Sequence, residues 1–480
     1  MVFSSFEFLF RFLPAFLIIY FITPKKFRNA VLFLGSIAFY TYGEAQYVLL
    51  LLASVTVNYV IARSMYKTPE DGRGRRQAVL LILALCYNFG MLFFFKYSGL
   101  TTKLPLGISF YTFQIAAYVI DVYRGIVPAE KSYVNLGTYL TMFPQLIAGP
   151  IVNYTEVSSC LKRRTVTARD FESGIRILVI GLGSKVIIAD RVGMLWNNVQ
   201  TIGFNSISTP LAWLGAVAYS MELYFDFAGY SMMAIGLGKI LGFTFPENFR
   251  YPFISKSISE FWRRWHMTLG GWFRDYLYIP LGGNRVSVLR WCFNMFVVWL
   301  LSGLWHGAGW NFALWGLYFG VFLSAEKLIG KKWKERSFKI ADISANNDSN
   351  GGNRKNMFLI CARNSIEHGY VLLVVLFSFV IFRVESVREI KEQLLGLAGS
   401  YGNAMTPMAA YEIKSYLILL LIACAGATPF PAMCVQRLKN TNMWKKSGWL
   451  LQSCYILTGL VLATAFLLGS SVHPFLYFRF

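Results

Sequence analysis

Apolar runs of roughly spanning length, about 17 to 25 residues, recur from one end of the chain to the other. They predict membrane helices near 6–22, 29–43, 45–62, 77–95, 106–123, 174–190, 210–227, 289–304, 308–326, 368–383, 414–434 and 447–470. Two more stretches read as re-entrant pieces that do not fully cross. The first, 133–152, holds Pro144 and Gly149-Pro150; the second, 229–245, is short and dotted with glycine. The stretch 258–276 has a different pattern. Ile258, Phe261, Trp262, Trp265, His266, Leu269, Trp272, Phe273 and Tyr276 recur at helical spacing, with Arg263, Arg264 and Arg274 on other sides. This predicts an interfacial helix, arginines outward and His266 on the buried face, bent or divided at Gly270 and Gly271. The fold class is all-α: a polytopic membrane protein of about 11 transmembrane helices with re-entrant and interfacial helices.

Composition agrees with the pattern. Of 480 residues, 56% are hydrophobic, 17% aromatic and only 15% charged, whereas about a quarter of a soluble domain is charged. The formal net charge of +22 could suggest nucleic acid. The basic residues, however, sit in short connections between spans: Lys25, Lys26 and Arg28; Arg63, Lys67, Arg73, Arg75 and Arg76; Lys162, Arg163 and Arg164; Lys331, Lys332, Lys334 and Arg336; Arg437, Lys439, Lys445 and Lys446. That is the positive-inside pattern, and the expected contacts are membrane lipid, with no nucleic acid. With the first of these loops cytosolic, the N-terminus faces outward and the turn at Gly43 to Ala45 is external. The N-terminus lacks a basic leader and a small-residue cleavage site, so the first apolar segment reads as a retained span. Seven scattered cysteines show neither a disulfide frame nor a metal spacing.

The chain reads as a single membrane-embedded domain, 1–480. It comprises an N-terminal helical block (1–104), a central section (105–326), a basic cytosolic loop (327–366) and a C-terminal helical block (367–480). The loop carries a mobile insertion from Ala341 to Asn356. No internal repeat stands out, which gives an inverted-repeat transporter no support.

The chemistry concentrates in the central section. Between Trp291 and Ala325 there is no Asp, Glu, Lys or Arg, and one histidine, His306, lies within Ser302-Gly-Leu-Trp-His-Gly-Ala-Gly-Trp310. An imidazole at bilayer depth is costly to place and usually functional. Gly303, Gly307 and Gly309 favour a break in the helix and close approach of other backbones.

At this point the chain resembles the membrane-bound O-acyltransferase family, in particular its bacterial polysaccharide branch of alginate O-acetylases, peptidoglycan O-acetyltransferases and the membrane component of teichoic acid D-alanylation. The words that carry the resemblance are Leu104-Pro-Leu-Gly-Ile-Ser-Phe-Tyr-Thr-Phe-Gln114, Phe143-Pro-Gln-Leu-Ile-Ala-Gly-Pro150 and Tyr224-Phe-Asp-Phe-Ala-Gly-Tyr-Ser231. They continue with Phe261-Trp-Arg-Arg-Trp-His-Met-Thr-Leu269, Trp272-Phe-Arg-Asp-Tyr-Leu-Tyr-Ile-Pro-Leu-Gly-Gly-Asn-Arg285, Ser302-Gly-Leu-Trp-His-Gly-Ala308 and Pro474-Phe-Leu-Tyr-Phe-Arg-Phe480. Each is weak alone; together, in the family's order from about residue 100 to the C-terminus, they are specific. The Leu-Gly-Gly-Asn-Arg word looks more like the alginate acetylase type than the D-alanylation type.

The resemblance implies a helical bundle around a central tunnel, reached by an acyl donor from the cytosol and a hydroxyl acceptor from the other side. It implies that His306 is catalytic and His266 a second functional histidine, and that an extracytoplasmic partner protein finishes the transfer. The expected activity is movement of an acetyl group, from acetyl-CoA as donor, toward hydroxyls of an exported or cell-wall polysaccharide at the inner (cytoplasmic) membrane. Histidine suits the general-base task because its ordinary pKa of about 6.5 lets it take and return a proton near neutrality. His266 could orient the acceptor, polarise the donor carbonyl or brace the tunnel.

Candidate substrate contacts are Asn311, Trp305, Trp265, Arg263, Arg274 and Asp226. Arginines 263, 264, 274 and 285 could hold donor phosphates or meet lipid headgroups. Asn311 could support an oxyanion, fix a tautomer or bond between helices. Asp226 and Glu222, unusual in an apolar segment, call for an arginine partner or water. His368 and His473 read as interfacial or structural. No nucleophile elbow, Walker loop or His-Glu-x-x-His helix is present, so no metal is expected. Two rival readings are D-alanyl transfer of the teichoic acid type and a transporter with His306 as proton relay.

Overall fold

The computed structural model describes residues 2–66, 74–100, 103–345, 353–402, 404–469 and 475; for 331–345 and 353–359 it describes the backbone alone. Lys67, Arg73, His473 and most of the closing word Pro474–Phe480 lie outside the described residues, as does 346–352 of the predicted insertion.

Among the described residues the regular structure is helical. The first nine helices are α1 Leu13–Ile22, α2 Arg28–Glu44, α3 Val48–Met65, α4 Arg75–Tyr97, α5 Ile108–Arg124, α6 Tyr133–Thr141, α7 Phe143–Leu146, α8 Tyr154–Lys162 and α9 Ala168–Gly183. Then come α10 Asp190–Ile202, α11 Thr209–Ile240, α12 Ile258–Trp262, α13 Met267–Phe273, α14 Val288–His306 and α15 Trp310–Ala345. The chain ends with α16 Asn353–Arg383, α17 Val387–Leu397, α18 Pro407–Gly426, α19 Phe430–Lys439 and α20 Asn442–Leu468. They form two compact units, one of residues 1–191, 223–248 and 439–480, the other of 192–222 and 249–438.

Seven stretches of the described residues are long and apolar enough to cross a bilayer, against about eleven spans expected from the pattern. The first, Lys25–Met65, is two helices, because Glu44 leaves helical geometry at φ −151°, ψ 67°. The predicted spans near 6–22, 106–123, 174–190 and 210–227 fall on helices outside those seven. Helix α5 shows one physical reason: at 17 residues it is short, and it is buried almost all round, so its apolar character serves protein packing.

In the first unit, the two proline–glycine words meet. Gly107, at φ 75°, opens α5 where any Cβ would collide with the carbonyl oxygen of Leu146. The stretch 133–152 is broken as expected: Met142 is extended between α6 and α7, and Ser36 Oγ accepts the freed backbone N–H of Phe143 at 3.1 Å. Arg164, from a basic connection, turns inward and donates to Tyr20 Oη at 2.9 Å and Asn29 Oδ1 at 2.6 Å.

The second expected break, 229–245, does not occur; α11 continues through it to Ile240. Its glycines serve a different purpose. Cβ atoms added at Gly229 and Gly236 would lie 2.7 Å from the carbonyl oxygens of Gly181 and Gly174, and the reverse holds at 2.5 and 2.8 Å. Two antiparallel helices touch backbone to backbone here, as small residues allow between membrane helices.

Further differences follow from local chemistry. Helix α18 starts before the predicted 414–434 span and ends at Gly426, ahead of Pro429 and Pro431. The flanks of the expected loop 327–366 are helical, forming the end of α15 and the start of α16.

Candidate active site

In the second unit α14 and α15 form a tight antiparallel hairpin. Ser287 caps the start of α14 by accepting from Arg290 N, and the helix ends at His306 because Gly307 is extended at φ −172°. A Cβ at Gly303 would collide with the Phe312 carbonyl, one at Gly316 with the Trp299 carbonyl, and one at Gly307 with the Phe312 ring. The glycines around His306 therefore let α15 fold back immediately, and His306 is fixed at the apex of the hairpin.

His306 is 5% exposed. Its ring meets Trp305 at 4.9 Å between centroids, Trp315 at 5.0 Å and Phe382 at 5.2 Å, all steeply inclined. Asn311 donates from Nδ2 to the Phe382 carbonyl at 2.8 Å, tying α15 to the end of α16 behind that ring. Asn311 is thus an interhelical tether that positions a wall of the histidine box.

His266 is 2% exposed, and its ring also neighbours Trp305, 6.4 Å between centroids. The predicted interfacial helix divides at this residue: α12 stops at Trp262, His266 adopts φ 44°, ψ 51°, and α13 starts at Met267, with Gly270 and Gly271 inside it. Histidine tolerates the left-handed region better than most side chains, and the strain there is of the kind held at functional sites. Tyr251, at φ 50°, is the other non-glycine residue with positive φ among those described. Between them Arg250 N donates to the Arg264 carbonyl at 2.8 Å, pinning the segment. Burial pushes the His266 imidazole down to about 3, so near neutrality it works as an uncharged hydrogen-bonding group.

Aromatic packing and one carboxylate hold this turn. Trp262 enters the α14/α15 seam against Trp299 at 4.6 Å and Phe319 at 4.9 Å; Trp265 packs on Phe249 at 5.1 Å and Phe379 at 5.2 Å. Glu326 of α15 accepts from Ile258 N at 2.7 Å, Ser259 N at 2.9 Å and Ser259 Oγ at 2.6 Å, capping α12 from a neighbouring helix. Replacing Glu326 with Ala should destabilise the protein by about 2 to 3 kcal/mol, the scale of hydrogen bonds to a charged group. Gln, which keeps an acceptor, should retain part of it. Thermal unfolding in detergent reads the difference, and equal melting of E326A and wild type would refute the anchoring role.

The other candidates lie elsewhere. Arg263 and Arg274 are exposed, and Arg274 pairs with its neighbour Asp275 at 2.7 Å. Arg264 pairs with Glu260 at 2.9 Å, and Arg285 is exposed. Asp226 belongs to the first unit, and its partner is a lysine where an arginine or water was expected: Lys185 Nζ lies 2.7 Å from Asp226 and 2.5 Å from Asp190. His368 Nδ1 lies 3.1 Å from the Ser255 carbonyl, a structural contact. Sequence reasoning missed Trp315, Phe382, Glu326 and Lys185. Glu326 had a usable signal, as the acid that ends the uncharged run; the aromatic walls had none, being single rings in rows of apolar residues.

An all-helical membrane protein with two buried histidines about one tryptophan describes a class of membrane enzyme, and comparison with known proteins identifies it. A family model described as MBOAT, membrane-bound O-acyltransferase family, matches residues 128–346. The chain is 38% identical over 410 residues to a probable alginate O-acetylase of Pseudomonas fluorescens, across 84% of this chain and 76% of that one. It is 31% identical over 547 residues to a peptidoglycan O-acetyltransferase of Helicobacter pylori, covering 100% and 98%. To a teichoic acid D-alanyltransferase of Bacillus subtilis it is 32% identical over 245 residues, 48% of this chain and 60% of that one. The chain belongs to the membrane-bound O-acyltransferase family and is a multi-pass membrane O-acyltransferase, which sets the transporter reading aside.

Proposed function

We propose that this enzyme takes an acetyl group from acetyl-CoA on the cytosolic side of the inner membrane and passes it toward hydroxyls of an exported or cell-wall polysaccharide. His306 acts as general base. Its neutral imidazole accepts the hydroxyl proton as the oxygen attacks the thioester carbonyl; the tetrahedral intermediate collapses, and the departing thiolate takes that proton. His266, uncharged and buried, donates to or accepts from the reacting groups without adding charge. Arg263 and Arg274, exposed, serve the phosphates of the donor or lipid headgroups. An extracytoplasmic partner protein completes delivery to the polymer.

The observation that carries this reading is the position of His306: a buried imidazole at a hairpin apex, walled by three aromatic rings, in a chain similar along its whole length to an O-acetyltransferase. D-alanyl transfer has less support, since that relative matches under half of this chain. Membranes containing the enzyme, incubated with acetyl-labelled acetyl-CoA, should yield labelled polysaccharide or a labelled partner protein. Label that stays with the thioester, while a D-alanyl carrier donates efficiently, would reverse the choice of acyl group.

A further inference from the structure

Trp315 stands on α15 one turn after Asn311 and is 3% exposed. Its ring meets His306 at 5.0 Å between centroids and 84°, Phe319 and Phe382 each at 5.3 Å, Trp262 at 5.6 Å and Trp299 at 6.1 Å. Its backbone is fixed as well, since the next residue, Gly316, lies too close to the Trp299 carbonyl for any Cβ to fit. Packing of this kind leaves an indole little room to change rotamer. Yet the buried Nε1–H of Trp315 has no hydrogen-bond partner among the described residues. Buried donors left unmatched cost free energy and are rare in native structures. Because the donor cannot swing to an acceptor, an acceptor has to come to the donor.

The surroundings limit what that acceptor is. From Trp291 to Ala325 the hairpin has no Asp, Glu, Lys or Arg, and an anion arriving among these rings would lose its hydration without gaining a counter-charge. The acceptor is therefore neutral when it arrives, and it sits beside the imidazole. A thioester carbonyl oxygen meets both conditions: it carries no charge on entry and becomes an oxyanion only as the hydroxyl adds to the carbon. A fixed N–H in a water-excluded site acts most strongly at that moment. Asn311, one turn earlier, already donates from Nδ2 to the Phe382 carbonyl. Trp262 has a second unmatched indole N–H, but its ring packs on Trp299, Trp315 and Phe319, whereas Trp315 meets His306 itself.

We propose that the Trp315 indole N–H is an oxyanion donor of this enzyme, hydrogen-bonding the thioester carbonyl oxygen while His306 takes the proton of the attacking hydroxyl. As the new carbon–oxygen bond forms, the carbonyl π electrons move onto the oxygen that the indole holds. The indole keeps its own proton throughout. Collapse returns those electrons to the carbonyl and breaks the carbon–sulfur bond, and the departing thiolate takes the proton from the imidazolium. The assignment rests on the acyl-transfer reading above.

The test compares W315F, which keeps a ring and loses the N–H, with W262F, which makes the same change one ring away, both in full-length enzyme in nanodiscs. Transfer is measured from acetyl-CoA and from the D-alanyl thioester of a carrier protein, and the variants are compared on the donor that wild type uses. W315F should lower kcat about 10²-fold, on the scale of losing one oxyanion donor, with KM and melting temperature close to wild type. W262F should stay within about threefold of wild-type kcat on that same scale. A second readout does not need turnover. In an H306Q background, which leaves the thioester intact, the stretching frequency of an isotope-labelled thioester carbonyl should fall on binding, and adding W315F should return it toward the free value. A carbonyl band that does not shift, or a shift that survives W315F, overturns the proposal. So does a W315F enzyme with wild-type kcat, and so do equal losses in W315F and W262F, which would assign the effect to packing. Transfer from the D-alanyl thioester alone would overturn the acetyl-CoA reading while the same comparisons still decide Trp315; transfer from neither donor would end both.

Discussion

Replacing His306 with Ala should lower acetyl transfer by about 10²- to 10⁴-fold, the usual contribution of a positioned acid–base group, in a protein that still inserts and folds. The expectation combines position and chemistry. The imidazole sits between Trp305, Trp315 and Phe382 at the end of α14, where no lysine, arginine or carboxylate precedes it back to Trp291. Truncation also opens a cavity among those rings, and the stability cost could itself reduce activity. Two controls separate the effects: H306Q keeps most of the volume but cannot act as a base near neutrality, and added imidazole can enter the Ala cavity. Both variants should be inactive at nearly wild-type melting temperature for Gln, with imidazole raising the rate of the Ala enzyme alone. An active H306Q enzyme would end the assignment of His306 as base.

Replacing Lys185 with Met should cost about 3 to 5 kcal/mol, the penalty for breaking a buried ion pair and leaving charge uncompensated. Lys185 follows α9 in a π-helical turn, Ser184–Ala189, with its side chain 4% exposed. It bridges Asp190 at 2.5 Å and Asp226, 1% exposed, at 2.7 Å. Without the ammonium, two carboxylates face each other in an apolar bundle. Pairing Lys185→Met with Asp226→Leu should recover much of the loss, because the remaining Asp190 is the more solvated of the two. Thermal unfolding of the single and double variants measures this, and a K185M protein as stable as wild type would rule out the bridge as a stabilising element.

The sequence made the hairpin around His306 legible, since an uncharged run, one histidine and three glycines leave few alternatives. The helices α2, α3, α4, α14 and α20 fall where their apolar runs place them. Glycine was harder to interpret, because the same residue breaks a helix or lets two helices touch, and the partner decides. Gly303 lies inside α14, and Gly229 and Gly236 lie inside α11; at each of them another backbone comes within contact. The break at His266 was hidden for a related reason: Gly270 and Gly271 are the obvious weak points, yet the Arg250–Arg264 bond and the Glu326 cap force the turn onto a histidine. Partners distant in sequence, such as Lys185 for Asp226 or Phe382 for His306, leave no local periodicity to read.

The glycine seam between α9 and α11 also acts as a ruler. Glycines on both helices are spaced by seven, so sliding one helix by seven residues would still bring one glycine pair face to face and leave a passable crossing. That displaced pairing would carry Lys185, together with Asp190 five residues on, about 10 Å along the axis away from Asp226 and remove the buried Asp226 carboxylate from its ammonium partner. Packing alone thus offers the helices two alignments during insertion, and electrostatics rejects the wrong one.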